Sequence, residues 1–279
     1  MPISFKLSFY TTIIALLSFH QVQSQRLTRD ELKDTIFPSF SIYKDTYFIT
    51  GVPTHTGISK ETADAKYQIS FKQLITRHTL PFNTQLFITY TQKSFWDVYA
   101  FSSPFQEVNF NPGIGLGKPL FNNDDKLVGL TEFKIEHESN GRDSIYSRSW
   151  NSISLSYHTR ISKKTLLSIK TWFPFSYKSD NPELIKYIGY GEINLVHNIS
   201  NDLQLELNAK KGNQWNWKGS LRSRLIYSIA KRTNQYIMLE WFNGYGENLI
   251  AFDKYRSMLR IGYIIRSTDL QLLKPAQLR

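Results

Sequence analysis

The chain has 279 residues, a length suited to one large or two small domains. Its 41% hydrophobic content excludes a wholly disordered chain, and the absence of cysteine excludes disulfide scaffolds, thiol catalysis and cysteine-ligated zinc. The formal net charge of +11 comes from basic residues spread along the chain, with no basic arm for a phosphate backbone. We therefore expect no nucleic-acid partner.

The first 24 residues have the pattern of an export signal. Lys6 gives a positive start, residues 7–19 are largely apolar, and Val22 and Ser24 are small residues ahead of a cleavage point at Gln25. This apolar run is too short to cross a bilayer as a helix, and no later segment reaches 18 consecutive apolar residues. The sequence predicts a signal peptide over 1–24, an exported domain over 25–279 and no transmembrane helix.

Alternation of apolar and polar residues is the main pattern after the signal. Phe133 and Ile135 alternate with charged residues, and Leu203, Leu205 and Leu207 alternate with polar ones. In an extended strand this spacing places one set on each face. About twelve such strands of roughly 10 residues fit between about residues 42 and 265. Residues 266–279 are then a short C-terminal extension.

Two architectures produce such strands. A soluble sandwich turns its apolar face inward, whereas a membrane barrel turns it toward lipid and keeps a polar lumen. The even strand number, the 15% aromatic content and the mixed charges on the polar faces favour the barrel. We predict an all-β, twelve-stranded antiparallel transmembrane barrel. The soluble sandwich stays open on pattern alone, and Pro112 fits poorly inside a fully paired strand.

A polar trio interrupts the apolar face of two neighbouring strands. His137 and Ser139 share the face of Ile135, and Asn151 shares the face of Ile153 on the next strand. Polar groups on a lipid face cost about 2 kcal/mol or more each without hydrogen-bond partners. Serine, histidine and asparagine can supply a nucleophile, a general base and a group that orients the base. The alternative is a set of rim residues in the headgroup layer.

At these residues the sequence resembles the outer-membrane phospholipase A family of Gram-negative bacteria. The blocks that carry the resemblance are YTQKSFW from Tyr90, SSPFQE from Ser102, HESNGRDSIYSRSWN from His137, SDNPELIKYIGY from Ser179 and GYGENLI from Gly244. The resemblance implies a twelve-stranded outer-membrane barrel with Ser139 as nucleophile, His137 as general base and Asn151 holding the imidazole. It also implies hydrolysis of acyl esters of glycerophospholipids and lysophospholipids, with both A1 and A2 activity.

Members of this family use calcium to stabilise the oxyanion, and the resemblance assigns Gly141 a backbone N–H at the same place. The matching calcium positions are Ser102, Arg142, Ser147 and Asp180. Calcium accepts backbone carbonyl oxygens, so an arginine can serve through its main chain. The chain departs from the family at Ser144, where an acidic residue is common, although Asp143 stands beside it.

The family acts as a homodimer that shares calcium ligands and substrate clefts between subunits. Gln92 lies on the face of Ile88 and Tyr90, so it would enter hydrocarbon unless a partner satisfies its amide. We expect Gln92 at the dimer interface. A second departure from the family is the chain beyond Ile265, since such barrels commonly end in an aromatic residue at the last strand.

Two functions remain as alternatives to the phospholipase. One is a catalytically inactive barrel acting as a small pore or structural protein of the outer membrane, which has no reason to keep His137, Ser139 and Asn151 on lipid. The other is a soluble, exported β-sandwich that binds a ligand.

Overall fold

The computed structural model describes residues 38–76, 80–230 and 234–267, which form one closed antiparallel barrel. The strands are β1 (Phe40–Ser41), β2 (Thr46–Pro53), β3 (Asp64–Leu74), β4 (Gln85–Trp96), β5 (Phe105–Phe121), β6 (Leu127–Ser139), β7 (Ser149–Ser162), β8 (Thr165–Phe175), β9 (Gly191–Asn198), β10 (Leu203–Lys211), β11 (Gly219–Ser228), β12 (Gln235–Gly244) and β13 (Arg256–Ile265). The helix α1 (Leu184–Ile188) lies between β8 and β9.

Twelve strands, β2 to β13, follow one another around the barrel, and pairing of β13 with β2 closes it. The two-residue strand β1 pairs with the end of β3 beyond the β2 ladder. The prediction of a twelve-stranded antiparallel barrel is confirmed. The predicted signal peptide over 1–24 and residues 268–279 of the C-terminal extension lie outside the described residues. No helix in the described ranges is long and apolar enough to cross a membrane.

The barrel buries its polar face and exposes its apolar face. On β6, Phe133 and Ile135 are 46% and 47% exposed, whereas Lys134 and Glu136 are 1% and 5% exposed. The same inversion runs along β10, where Gln204, Glu206 and Asn208 are buried. A soluble sandwich would bury the apolar set instead. The soluble alternative is therefore wrong, and the outer wall is the lipid-facing surface of a transmembrane barrel.

Ion pairs fill the lumen. Arg260 donates to Asp64 over 2.7 Å and to Glu247 over 2.6 Å, and Arg224 donates to Glu240 over 2.8 Å. Buried charges persist only when they are paired, because the ions lose their hydration. The predicted lumen with charges of both signs is confirmed.

Two connections close one end of the lumen. Four residues of α1 pack with Phe252 of the β12–β13 connection. The same connection carries Glu247, which is 4% exposed and whose carbonyl accepts a 2.7 Å hydrogen bond from Lys93 Nζ. Apolar packing and buried charge thus hold the β12–β13 connection inside the mouth of the barrel.

The two rims differ in loop length. Because the strands are antiparallel, the connections that follow even-numbered strands share one rim, which also holds the end of β6. These connections span 54–63, 97–104, 140–148, 176–190, 212–218 and 245–255. Described connections at the other rim are shorter, such as 163–164 and 199–202. Long loops on one side and short turns on the other are typical of the extracellular and periplasmic sides.

Candidate active site

The polar trio comes together where β6 meets β7 at the long-loop rim. The register pairs His137 with Asn151 and Ser139 with Ser149. His137 Nδ1 and Asn151 Oδ1 are 2.9 Å apart, within hydrogen-bond distance. Asn151 thus stands at the height of His137 on the same face of the sheet.

Backbone pairing explains this contact. One pleat beyond Ser139, the Asn140 N–H donates to the Arg148 carbonyl across the β6–β7 boundary, so even-numbered positions of this part of β6 bond to β7. His137 and Asn151 therefore form a pair without mutual backbone bonds, the kind in which side chains approach most closely. The antiparallel ladder itself brings the imidazole and the amide together.

The hydrogen bond fixes the imidazole tautomer. An amide oxygen can only accept, so Nδ1 carries the proton and Nε2 is left as the basic nitrogen. Ser139 lies two residues along the same face and is half-buried. In the described part of the chain, no hydrogen bond joins the Ser139 hydroxyl to this imidazole. Catalytic hydrogen bonds are often long in the absence of substrate.

An apolar groove adjoins the histidine on the outer wall. It has a volume of about 620 Å³ and runs across β4, β5 and β6 as far as His137 and Asn151. Its apolar lining comes from Phe71, Ile88, Tyr90, Pro112, Ile114 and Ile135. The imidazole is therefore accessible along the outer wall without entry into the barrel.

Asn140 holds the β6–β7 connection in shape. This residue is 4% exposed; its Nδ2 donates to the Tyr146 carbonyl over 2.9 Å, and its Oδ1 accepts from the Arg148 N–H over 3.0 Å. The next residue, Gly141, has φ +65°, a conformation that favours glycine. A Cβ there would lie 3.1 Å from the Phe110 ring. The turn that carries the Gly141 N–H is therefore built by a buried amide and a glycine.

Oxygen atoms of two connections converge beside this turn. Asp180 Oδ2 accepts hydrogen bonds from Ser149 Oγ over 2.8 Å and from Ser147 Oγ over 3.1 Å. The bond from Ser149, which has the larger effect, and the bond from Ser147 lower the pKa of Asp180 below its usual value. An ionised carboxylate with hydroxyl neighbours suits a hard cation such as calcium. No group of three His, Asp or Glu side chains forms a metal site in the ranges described.

The other two predicted calcium positions are not joined to this cluster. Arg142 turns its guanidinium away, toward the Gln106 carbonyl and, at 3.7 Å, the buried carboxylate of Glu107. Ser102 lies exposed in the β4–β5 connection with φ +61°. The hydrogen bonds of the single chain thus bring Ser147 and Asp180 together and leave Ser102 and Arg142 outside that cluster.

Gln92 finds partners within its own chain. Its Oε1 accepts from the Tyr90 hydroxyl over 3.1 Å, and its Nε2 donates to Ser94 Oγ over 3.4 Å. The amide therefore does not depend on a second subunit for all its hydrogen bonds. Its place at a dimer interface stays a prediction.

The sequence did not predict the roles of three residues that shape the site. Asn140 stands inside the recognised HESNGR block, so its position was visible although its role was not. Glu107 ends the SSPFQE block, and its Oε1 accepts from the Ile250 N–H over 3.0 Å, which ties the Arg142 side chain to the β12–β13 connection. Ser149 also stands inside the block from His137 to Asn151, but its role was not visible there because its partner Asp180 is distant in sequence.

Together the fold and the site define an integral β-barrel of the outer membrane with a polar cluster on its lipid-facing wall. Comparison with known proteins gives the family. A family model described as Phospholipase A1 matches residues 24–265, and the chain belongs to this family.

Curated relatives and solved structures agree with this assignment. Phospholipase A1 of Salmonella typhimurium is 30% identical over 249 residues, covering 83% of this chain and 81% of the relative. Phospholipase A1 of Escherichia coli K12 is 32% identical over 214 residues, covering 72% of this chain and 69% of the relative. A crystal structure of the Salmonella typhi outer membrane phospholipase dimer with bound calcium has a TM-score of 0.72 at 25% identity, covering 83% of this chain and 94% of that one. The Escherichia coli outer membrane phospholipase A has a TM-score of 0.71 at 26% identity, covering 81% and 94%.

Proposed function

We propose that the protein is a calcium-dependent outer-membrane phospholipase that hydrolyses acyl esters of glycerophospholipids and lysophospholipids, with A1 and A2 activity. The observation that carries the proposal is the 2.9 Å contact between His137 Nδ1 and Asn151 Oδ1 on the lipid-facing wall, next to an apolar groove. Membership in the phospholipase A1 family supports the reaction class. A phospholipid already lies against this wall, so the substrate needs no channel.

The chemistry follows from the roles of three side chains. His137 Nε2 takes the proton of Ser139 as Oγ attacks the ester carbonyl, and the same imidazolium returns it to the departing alcohol. Water, deprotonated by His137, then cleaves the acyl-enzyme, and the imidazolium returns that proton to Ser139 Oγ as the fatty acid leaves. Asn151 keeps Nδ1 protonated and the ring in place. The Gly141 N–H would donate a hydrogen bond to the oxyanion.

Calcium would supply further positive charge for that oxyanion. The donor set fits, because Asp180 and Ser147 already present clustered oxygen atoms. The Arg142 carbonyl would add a ligand from the same turn, while its guanidinium stays with Glu107. Ser102 would complete the set from the second subunit, since it lies apart from this cluster in the single chain.

A homodimer is the proposed active form, and Gln92 is the proposed interfacial amide. The calcium-bound dimer of the Salmonella typhi structure supports this assembly for a relative with the same fold. One donor hydrogen and one acceptor site of the Gln92 amide remain after its bonds to Tyr90 and Ser94. A second Gln92 facing it would use both. Such a dimer would also enclose the groove beside His137 with a second apolar wall.

Fatty-acid release from mixed phospholipid–detergent micelles tests the proposal. We expect calcium-dependent release by the refolded protein, loss of release with chelator, and loss in Ser139→Ala with the folded barrel retained. Substrates with labels at one acyl position separate A1 from A2 activity. A folded, dimeric, calcium-loaded protein that releases no fatty acid would favour the inactive barrel instead.

A further inference from the structure

The ladder between β5 and β6 is interrupted beside the histidine. Residue pairs are present at Phe110–Ser139 and again at Gly113–Glu136, with none between them. This register places Pro112 opposite His137. Proline lacks a backbone N–H, so it cannot donate to a neighbouring strand.

The gap in the ladder matters because the His137 carbonyl points toward it. In an antiparallel sheet the N–H and C=O of one residue point to the same neighbour, and successive residues alternate. Since the Asn140 N–H bonds to β7, the odd-numbered His137 directs its carbonyl to β5. The group it meets there is the nitrogen of Pro112, which has no hydrogen to give.

A side chain fills the gap. Asn111 Nδ2 donates to the His137 carbonyl over 2.8 Å. The other end of the amide is held from the lumen, where Lys44 Nζ donates to Asn111 Oδ1 over 3.5 Å. An ammonium only donates and a carbonyl only accepts, so these two partners fix which way the amide points.

We propose that Asn111 is a positioning residue for catalysis, replacing the ladder hydrogen bond that Pro112 cannot make to His137. The inference rests on the proposed role of His137 as the general base. Pro112 lines the apolar groove directly beside His137 and Asn151, so its ring gives the groove an apolar wall at the cost of one backbone bond. Asn111 restores that bond from the opposite, lumenal face. The β6 backbone around the imidazole is then held on both sides, by the bonds of its even-numbered residues to β7 and by this amide.

The test is a double-mutant cycle on Asn111 and Pro112. Asn111→Ala leaves the His137 carbonyl without a donor, and we expect kcat to fall about tenfold with KM nearly unchanged. In the Pro112→Ala background the backbone N–H returns, so adding Asn111→Ala is expected to change kcat by about twofold or less. Labelling of Ser139 by a fluorophosphonate probe should slow in parallel with kcat, because it reports activation of the nucleophile by His137.

Asn208→Ala is the matched control, since Asn208 is a buried lumenal asparagine on β10, away from the site, and its amide meets Glu192. We expect wild-type kcat and labelling for this variant. Heat-modified gel mobility of each variant separates loss of folding from loss of activity.

Wild-type kcat in folded Asn111→Ala would overturn the inference, as would an equal loss in both backgrounds. If Asn111→Ala does not fold, a folded double variant with the kcat of Pro112→Ala supports the inference, and an unfolded one refutes it. Ser139→Ala isolates the underlying proposal: activity that survives this change refutes the proposed function, whereas its loss with unaltered Asn111→Ala refutes only the role of Asn111.

Discussion

Removal of the Asn151 amide isolates the contact on which the site depends. Asn151→Ala deletes the acceptor 2.9 Å from His137 Nδ1 and leaves the β6–β7 register unchanged, because the ladder uses backbone atoms. A hydrogen bond to the charged imidazolium is worth about 1.5–3 kcal/mol, and one to the neutral ring about 1 kcal/mol. The variant should therefore destabilise the transition state, in which His137 is an imidazolium, more than the ground state, in which the ring is neutral. The difference of about 0.5–2 kcal/mol corresponds to a fall in kcat of about 2- to 30-fold.

The assay is fatty-acid release at saturating calcium, with kcat and KM measured separately. Asn243→Ala serves as control, because Asn243 also lies near the long-loop rim on β12 and bonds to the Tyr255 hydroxyl over 3.0 Å, on another part of the wall. This control should keep wild-type kcat. Asn151→Ala with unchanged kcat would refute the orienting role of the amide.

The variant Asn151→Asp tests the same contact through the pH dependence of kcat/KM. A carboxylate in place of the amide favours the imidazolium over the neutral ring. The basic form is then present only at higher pH, so the acid limb of the kcat/KM profile should move to higher pH. A limb that stays in place, or moves to lower pH, would contradict the contact.

Three further outcomes follow from the structure. Asp180→Asn should raise the calcium concentration for half-maximal activity about tenfold or more. Because the pKa of Asp180 is depressed, calcium activation of the unsubstituted protein should persist to lower pH than an ordinary aspartate allows. Titration of activity against calcium at several pH values checks both expectations. Arg260→Ala leaves Asp64 and Glu247 buried without this partner and should lower the free energy of unfolding by about 3–5 kcal/mol, measured by denaturant titration of the refolded barrel. The control Lys254→Ala, at the exposed rim, should leave the free energy of unfolding almost unchanged. Phe133→Arg, on the lipid-facing wall, should cost about 2–4 kcal/mol in bilayers, and an unaltered stability would contradict that placement.

Much of the architecture was predictable because it depends on local alternation. Charged and apolar residues alternate strictly around Phe133, and period-2 spacing places each set on one face whatever the partner strand is. The number of alternating segments and the absence of any long apolar run then limited the possible architectures to a membrane barrel or a soluble sandwich. The positions of His137 and Ser139 on the apolar face followed from the same rule.

Pro112 shows where local rules fail. Proline is disfavoured in a paired strand, yet β5 runs through this position. The missing hydrogen bond is supplied by the Asn111 side chain from the lumen. The sequence alone shows the conflict but not its resolution, because the resolution needs the register of β5 against β6.

The sequence by itself determined which residues share each strand face, the approximate number of strands and the place of His137 and Ser139 on the apolar face, because all of these depend on spacing within short segments. Only the tertiary structure decided that Asn111 meets the His137 carbonyl, that Asp180 meets Ser147 and Ser149, and that Glu247 enters the lumen. Each of these contacts joins different strands or connections. Their geometry is set by strand register and by barrel closure, and a change of register by one residue would turn every side chain to the other face.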